Sequence, residues 1–248
     1  AGFEAVIVDG CCGALVHHLG RPQETRAFAA RLLDRVESER RRGGLDALIV
    51  NASGCGTHLK DLGYVLRDDP ALAQPASELS ALTLDITEWL ERLEREQGAE
   101  EQHGAAAGRR ARAAGSASPA AYVPHSGLRV AYHSACSMQH GQQLDRIPRR
   151  LLERAGFEVL DIPEGHLCCG SAGTYNILEP GIAGQLRERK LANIRSTGAR
   201  LIATGNVGCM VQLAGAEFPI VHTAELLDWA AGGPVPAGIA AAAQPART

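Results

Sequence analysis

The sequence predicts an α/β protein with mostly parallel sheets, arranged as two tandem pseudo-symmetric cysteine-rich modules. Three observations carry this. Short strand-like runs alternate with longer helix-like stretches along the whole chain. One order of features occurs twice, which marks a duplication. Several strand-like runs feed loops rich in glycine and cysteine, as expected where side chains gather at the carboxyl edge of a parallel sheet.

The first copy, residues 1–97, opens with Gly2-Phe3-Glu4-Ala5 and a strand-like run, Phe3 to Val8, leading into Cys11-Cys12-Gly13. A helix opens near Pro22 and runs to about Arg42. Arg40-Arg41-Arg42 form its charged last turn and Gly43-Gly44 stop it. A strand, Asp46 to Val50, precedes Asn51-Ala52-Ser53-Gly54-Cys55. Leu79, Leu82, Ile86, Leu90 and Leu93 then recur at helical spacing and predict a helix over Leu79 to Glu96. Residues 98–126 turn to Ala, Gly, Ser, Arg and Pro without periodicity and read as a low-complexity linker.

The second copy, residues 127–231, begins with a strand, Leu128 to His133, ending at Ser134-Ala135-Cys136. Gly156-Phe157-Glu158-Val159 then leads into Cys168-Cys169-Gly170. A helix spans Pro180 to Ser196, a strand Arg200 to Thr204, and Gly205-Asn206-Val207-Gly208-Cys209 follows. From the second cysteine of each pair to the lone cysteine is 43 positions in one copy and 40 in the other. The trailing helices also match, Ile86-Thr87-Glu88-Trp89-Leu90 against Thr223-Ala224-Glu225-Leu226-Leu227. Cys136 lies 20 positions before Gly156, so its first-copy counterpart would fall ahead of residue 1. The first module is therefore expected to be truncated at its N-terminus. Residues 232–248, rich in Pro and Ala, are expected to form a flexible tail.

Composition narrows the function. The chain has 248 residues, 45% hydrophobic and 21% charged, with a net charge of −3. This is a globular composition without the broad basic face that nucleic-acid binding needs, so no nucleic-acid partner is expected. No apolar run is long enough to be a membrane span, and no secretion signal is present. Seven cysteines, an odd number without a secretory context, argue against a disulfide framework and for metal ligands or redox thiols in a reducing cytoplasm.

The second copy supplies Cys136, Cys168, Cys169 and Cys209 as candidate ligands; the first supplies Cys11, Cys12 and Cys55, a set of three that leaves its metal content open. Four soft thiolates suit an iron-sulfur cluster or zinc. Vicinal cysteines with long gaps, and no Cys-x-x-Cys knuckle, favour iron-sulfur. Gly170 and Gly208 beside the ligands let backbone approach an inorganic core. His133 and His222 follow strands and read as hydrogen-bonded residues at the sheet edge, with ligation or proton transfer as the alternative. His17 and His18 line the first pair or cap a helix start. Asn51 and Asn206 are expected to stabilise tight turns. Arg109, Arg110 and Arg112 read as solvated linker residues.

The segments around these cysteines resemble a known family. Cys11-Cys12-Gly13-Ala14-Leu15-Val16-His17-His18, Asn51-Ala52-Ser53-Gly54-Cys55-Gly56, Ala131-Tyr132-His133-Ser134-Ala135-Cys136-Ser137-Met138-Gln139-His140, Cys168-Cys169-Gly170-Ser171-Ala172-Gly173-Thr174-Tyr175-Asn176 and Thr204-Gly205-Asn206-Val207-Gly208-Cys209-Met210 are similar to the CCG domains of the cysteine-rich component of heterodisulfide reductase and of the iron-sulfur subunits of glycolate and lactate oxidases. The glycolate oxidase iron-sulfur subunits are the closer likeness. The resemblance implies an electron-transfer subunit carrying a 4Fe-4S cluster, or its noncubane form. Its partners would be FAD-binding glycolate oxidase subunits, with FAD held only there, and a quinone pool at the inner membrane surface. It also implies a cytoplasmic protein, attached peripherally to the inner face of the plasma membrane. The heterodisulfide relatives carry a fifth cysteine three positions beyond the last one. His58 and Gln212 stand there in this chain, which favours an ordinary four-cysteine cluster. Two other readings accompany this one: a thiol-disulfide oxidoreductase of the heterodisulfide type, or a lactate-utilisation iron-sulfur protein. A zinc-stapled interaction module is the third class.

Overall fold

A computed structural model of the chain describes residues 3–104 and 127–242. The first module runs α1 (Ala14–His18), α2 (Pro22–Gly43), β1 (Leu48–Val50), α3 (Ser53–Lys60), α4 (Leu62–Val65), α5 (Ala73–Leu82), β2 (Thr83–Asp85) and α6 (Ile86–Gly104). The second runs β3 (Arg129–Tyr132), a π-helical turn (Ser137–Gly141), α7 (Arg146–Arg154), β4 (Glu158–Leu160), α8 (Tyr175–Leu178), α9 (Pro180–Ser196), β5 (Leu201–Thr204), α10 (Val207–Leu213), β6 (Ile220–His222), α11 (Thr223–Ala230) and α12 (Ala237–Ala242). The fold is α/β, and every described strand pair is parallel.

In the second module the strand order is β4-β3-β5-β6. Successive residues point to opposite faces. Val130, Tyr132, Leu201 and Ala203 join Leu151 and Leu152 of α7 and Leu226 and Leu227 of α11 in one core. Ala131 and Ile202 face the other way, against Leu191 and Ile194 of α9, Leu213 of α10, and Cys169 and Cys209. All four β5 residues are buried, as in a parallel sheet covered on both faces. Helix starts follow the sequence closely. Pro22 and Pro180 open α2 and α9, where the missing N–H costs nothing.

The first module pairs only β1 with β2. The expected strand over Phe3 to Val8 does not form, and Phe3, Val6 and Ile7 are exposed. Its counterpart β4 exists because it pairs with β3 through Arg129–Ala131. A strand needs a ladder, and among the described residues no strand lies beside Phe3–Val8. The single helix expected over Leu79 to Glu96 is two helices separated by β2. Thr83-Leu84-Asp85 adopts the register of β6 beside β5, and Asp85 then caps α6 through the Thr87 N–H at 2.9 Å. The apolar stripe continues across the break, so periodicity alone cannot see it.

The duplication is visible at this cap. Glu88 accepts from Asp85 N–H at 3.0 Å, and Glu225 accepts from His222 N–H at 3.0 Å. Thr87 N–H donates to Asp85, and Ala224 N–H donates to His222 Nδ1 at 3.1 Å. These are paired capping boxes at matched positions. Two other expectations change. Residues 98–104, placed in the linker, continue α6, while residues 105–126, including Arg109, Arg110 and Arg112, lie outside the described residues. Within the expected tail, α12 packs on β6 with Ile239 against the core; residues 243–248 lie outside the described residues.

Candidate metal centre

The site lies at the carboxyl edge of the second sheet. β3 ends at Tyr132, so His133 and Cys136 follow it directly. β5 ends at Thr204, and the next turn starts α10 with Cys209 in its first turn. The Cys168-Cys169-Gly170 loop lies between β4 and α8. Loops far apart in sequence thus reach one place, as this strand order allows.

The sulfurs are close enough to share protons. Cys169 Sγ donates to Cys209 Sγ at 3.4 Å. Cys168 accepts from both Cys136 and Cys169, which holds its thiol far below the usual thiol range against the opposing effect of burial. Cys136 and Cys169 are raised, first by these sulfur hydrogen bonds and then by burial. Cys209 is drawn down to about 5, chiefly by Cys169 with His133 adding to it. Hydrogen bonds between sulfurs thus link the four thiols, and any soft cation that binds thiols must displace their protons. Burial is graded: Cys169 and Cys209 are buried, Cys168 is half-buried and Cys136 is exposed.

Local backbone fixes this arrangement. Gly170 sits at φ +97° and its N–H donates to Cys168 Sγ at 3.3 Å. A Cβ there would lie 2.5 Å from the Ala183 carbonyl oxygen, so only glycine fits. Asn206 caps α10 by accepting from Cys209 N–H at 3.2 Å. Its Nδ2 also donates to Ser53 Oγ at 2.9 Å and lies 3.4 Å from Ser137 Oγ. Ser53 N–H donates to the Gly205 carbonyl at 3.0 Å, and Ser53 and Ser137 hydroxyls meet at 2.8 Å. One seam therefore joins α3 of the first module to the cysteine-bearing turns of the second. Asn51 has a different role from Asn206: its carbonyl accepts from His222 Nε2 at 2.7 Å. His222 is thus a cap and a cross-module hydrogen-bonding residue.

Lys190 is fully buried on α9, with Nζ donating to the carbonyls of Glu164 at 3.1 Å and Gly165 at 3.4 Å. Burial lowers its pKa, while Cys169 and Cys168 pull it the other way. It provides positive charge beside a thiolate group. Sequence reading missed it, although Lys190 falls on the same stripe as Ala183, Leu191 and Ile194. Gln212, at the position of the heterodisulfide family's fifth cysteine, is committed elsewhere. It accepts from Asn176 at 2.9 Å and donates to Ala183 O at 3.3 Å.

The first module repeats part of this. Gly13 N–H donates to Cys11 Sγ at 3.4 Å, the counterpart of Gly170 on Cys168. Cys12 hydrogen-bonds to Cys55, which raises Cys12 and lowers Cys55 to about 7. His58 is buried, and burial lowers it to about 4 with His17 and His18 adding to the effect. The His17 and His58 rings lie 5.1 Å apart.

A parallel α/β sheet presenting a coupled set of thiols at its carboxyl edge, in a duplicated chain, defines a cysteine-rich metal-binding protein. The Cysteine-rich domain (CCG) family matches residues 1–60 and 130–214. The chain belongs to this family. It is 33% identical over 226 residues to the glycolate oxidase iron-sulfur subunit of Escherichia coli K12, covering 89% of this chain and 48% of that protein. It is 29% identical over 243 residues to the probable glycolate oxidase iron-sulfur subunit of Bacillus subtilis 168, covering 94% and 49%. With lactate utilization protein A of Geobacillus thermodenitrificans it shares 23% over 225 residues, covering 88% and 82%. The chain spans about half the length of the two glycolate oxidase relatives. No helix among the described residues is long and apolar enough to cross a membrane.

Proposed function

We propose that this chain is the cysteine-rich part of an iron-sulfur electron-transfer subunit in a 2-hydroxy-acid oxidoreductase, of the glycolate oxidase type. A flavoprotein partner oxidises the hydroxy acid, and electrons pass through this subunit toward a quinone pool at the inner membrane surface. The observation that carries the reading is the approach of the buried Cys169 and Cys209 sulfurs at 3.4 Å, with Cys168 drawn down by its hydrogen bonds to Cys136 and Cys169 beside them. The donor set fits the group. Four thiols without hard oxygen ligands select a soft centre, and the glycine N–H groups beside them suit sulfur acceptors.

In this reading Cys136, Cys168, Cys169 and Cys209 hold the cluster. Gly170 and Gly208 give it room, and Cys11, Cys12 and Cys55 form the first module's metal-binding set. A bound cluster of this kind supplies one-electron acceptance and donation. Cys169, Cys209 and the α9 face keep water from the inner side. Lys190 sets positive charge against the anionic thiolates. The exposed Cys136 marks the side where electrons enter or leave.

The test is anaerobic isolation of the chain followed by iron and sulfide analysis, with about four irons per intact site expected. In the assembled complex, Cys169→Ser is expected to abolish quinone reduction while substrate still reduces the partner's flavin. Zinc without iron would instead select the interaction-module reading. Turnover of a small disulfide without the flavoprotein would select the heterodisulfide-type reading.

A further inference from the structure

His133 is a second unusual group at this centre. It is 2% exposed, directly after β3, and its backbone is fixed by a hydrogen bond from His133 N–H to Ala203 O at 2.8 Å. Neither ring nitrogen has a nitrogen or oxygen hydrogen-bond partner among the described residues, and the ring interacts with the Cys209 sulfur. A ring nitrogen of His133 lies with the sulfurs of Cys169 and Cys209 in a group whose atoms are all within 4.8 Å of one another. Among the described residues this is the one set of three such donors gathered so closely.

A buried imidazole normally finds a partner for at least one nitrogen, because a buried polar group left unpaired loses its hydration without compensation. The histidines elsewhere show the contrast. His222 uses both ring nitrogens, and the buried His58 leaves Nε2 unpaired while its ring is hydrogen-bonded to the Cys12 backbone. His133 instead sets a ring nitrogen beside the two buried sulfurs.

We propose that His133 is a nitrogen ligand of the second-module metal centre, alongside its thiolates. This rests on the iron-sulfur reading above and extends it from an all-thiolate to a mixed histidine–cysteine donor set. Neutral imidazole adds less negative charge than a thiolate, and histidine ligation raises the reduction potential of a cluster. The centre is therefore set higher than a site of the same fold with a further thiolate in this place, which suits acceptance of electrons from a flavin. Gln212 is already hydrogen-bonded on both sides of its amide, so the extra donor comes from the β3 edge instead.

The test is pulsed electron paramagnetic resonance on the anaerobically isolated full chain, poised so that the cluster is paramagnetic. Protein with natural nitrogen is compared with protein labelled with 15N only at histidine. A strong nitrogen coupling that changes with the label is expected. It should vanish in His133→Cys, which keeps a soft ligand in place and should retain iron while its potential falls. A paramagnetic cluster with no histidine-dependent coupling overturns the assignment and leaves the cluster reading intact. So does only the weak coupling of a hydrogen-bonded ring, or a strong coupling that persists in His133→Cys. Protein that holds no iron at all defeats the cluster reading and the ligand assignment with it.

Discussion

The two modules carry the same paired cysteines, the same lone cysteine before a helix and the same capping box, yet their sites differ. In the second, a four-stranded sheet places β3 between β4 and β5, and the residues after β3 supply Cys136 and His133. In the first, two strands support Cys11, Cys12 and Cys55, and His17 and His58 lie ring beside ring. Phe3–Val8, which matches β4 in sequence, forms no strand. The comparison teaches that the paired-cysteine loop and the lone-cysteine helix are local devices. The fuller gathering of cysteine and histidine side chains depends on the central strand.

The largest expected effect separates the modules outright. Cys169→Ser should remove most of the bound iron, whereas Cys12→Ser should leave the second-module cluster signal in place. Equal iron loss in both variants would erase the distinction. Next comes Lys190→Met, which removes the buried charge with little change in volume. It should lower the cluster potential and, by leaving two carbonyls unpaired, cost about 1–3 kcal/mol in chemical denaturation. An unchanged potential would mean that this lysine serves packing only.

Asn206→Ala tests the seam. Loss of the α10 cap and of the bond to Ser53 should destabilise the protein by about 1–2 kcal/mol in urea melts. Ser53→Ala should be milder, since the cap survives. A further effect is a pH dependence at the first module. His58 is held near 4 when folded and titrates near 6.5 when unfolded. Above 6.5 both states are neutral and the stability is intact. As pH falls toward 4 the unfolded state takes up the proton first, so stability declines across that window. His58→Asn should flatten the slope, and an unchanged slope would place its origin elsewhere.

Much of this was legible in the chain. Proline marked the starts of α2 and α9, and strand-then-cysteine order located the cysteines of the second module at one sheet edge. What periodicity could not show was pairing. It carried one helix through β2, because Leu82 and Ile86 keep helical spacing across Thr83–Asp85. It also assigned a strand to Phe3–Val8, where no ladder exists. Lys190 was readable as a charge on an apolar stripe, but its carbonyl partners on the Glu164 loop are 25 and 26 positions away. The Asn206–Ser53 contact spans 153 positions, and no local pattern announces it. His133 read as an ordinary edge histidine because only coordinates reveal that both nitrogens lack nitrogen or oxygen partners.

The most direct measurement is iron content and the cluster spectrum of the anaerobic chain in which Cys11, Cys12 and Cys55 are all replaced by Ser. Retention of about four irons per chain with an unaltered cluster signal is the predicted result. Loss of iron and signal, with the second module's cysteines intact and the protein folded, would contradict the claim that Cys136, Cys168, Cys169 and Cys209 gather a centre of their own.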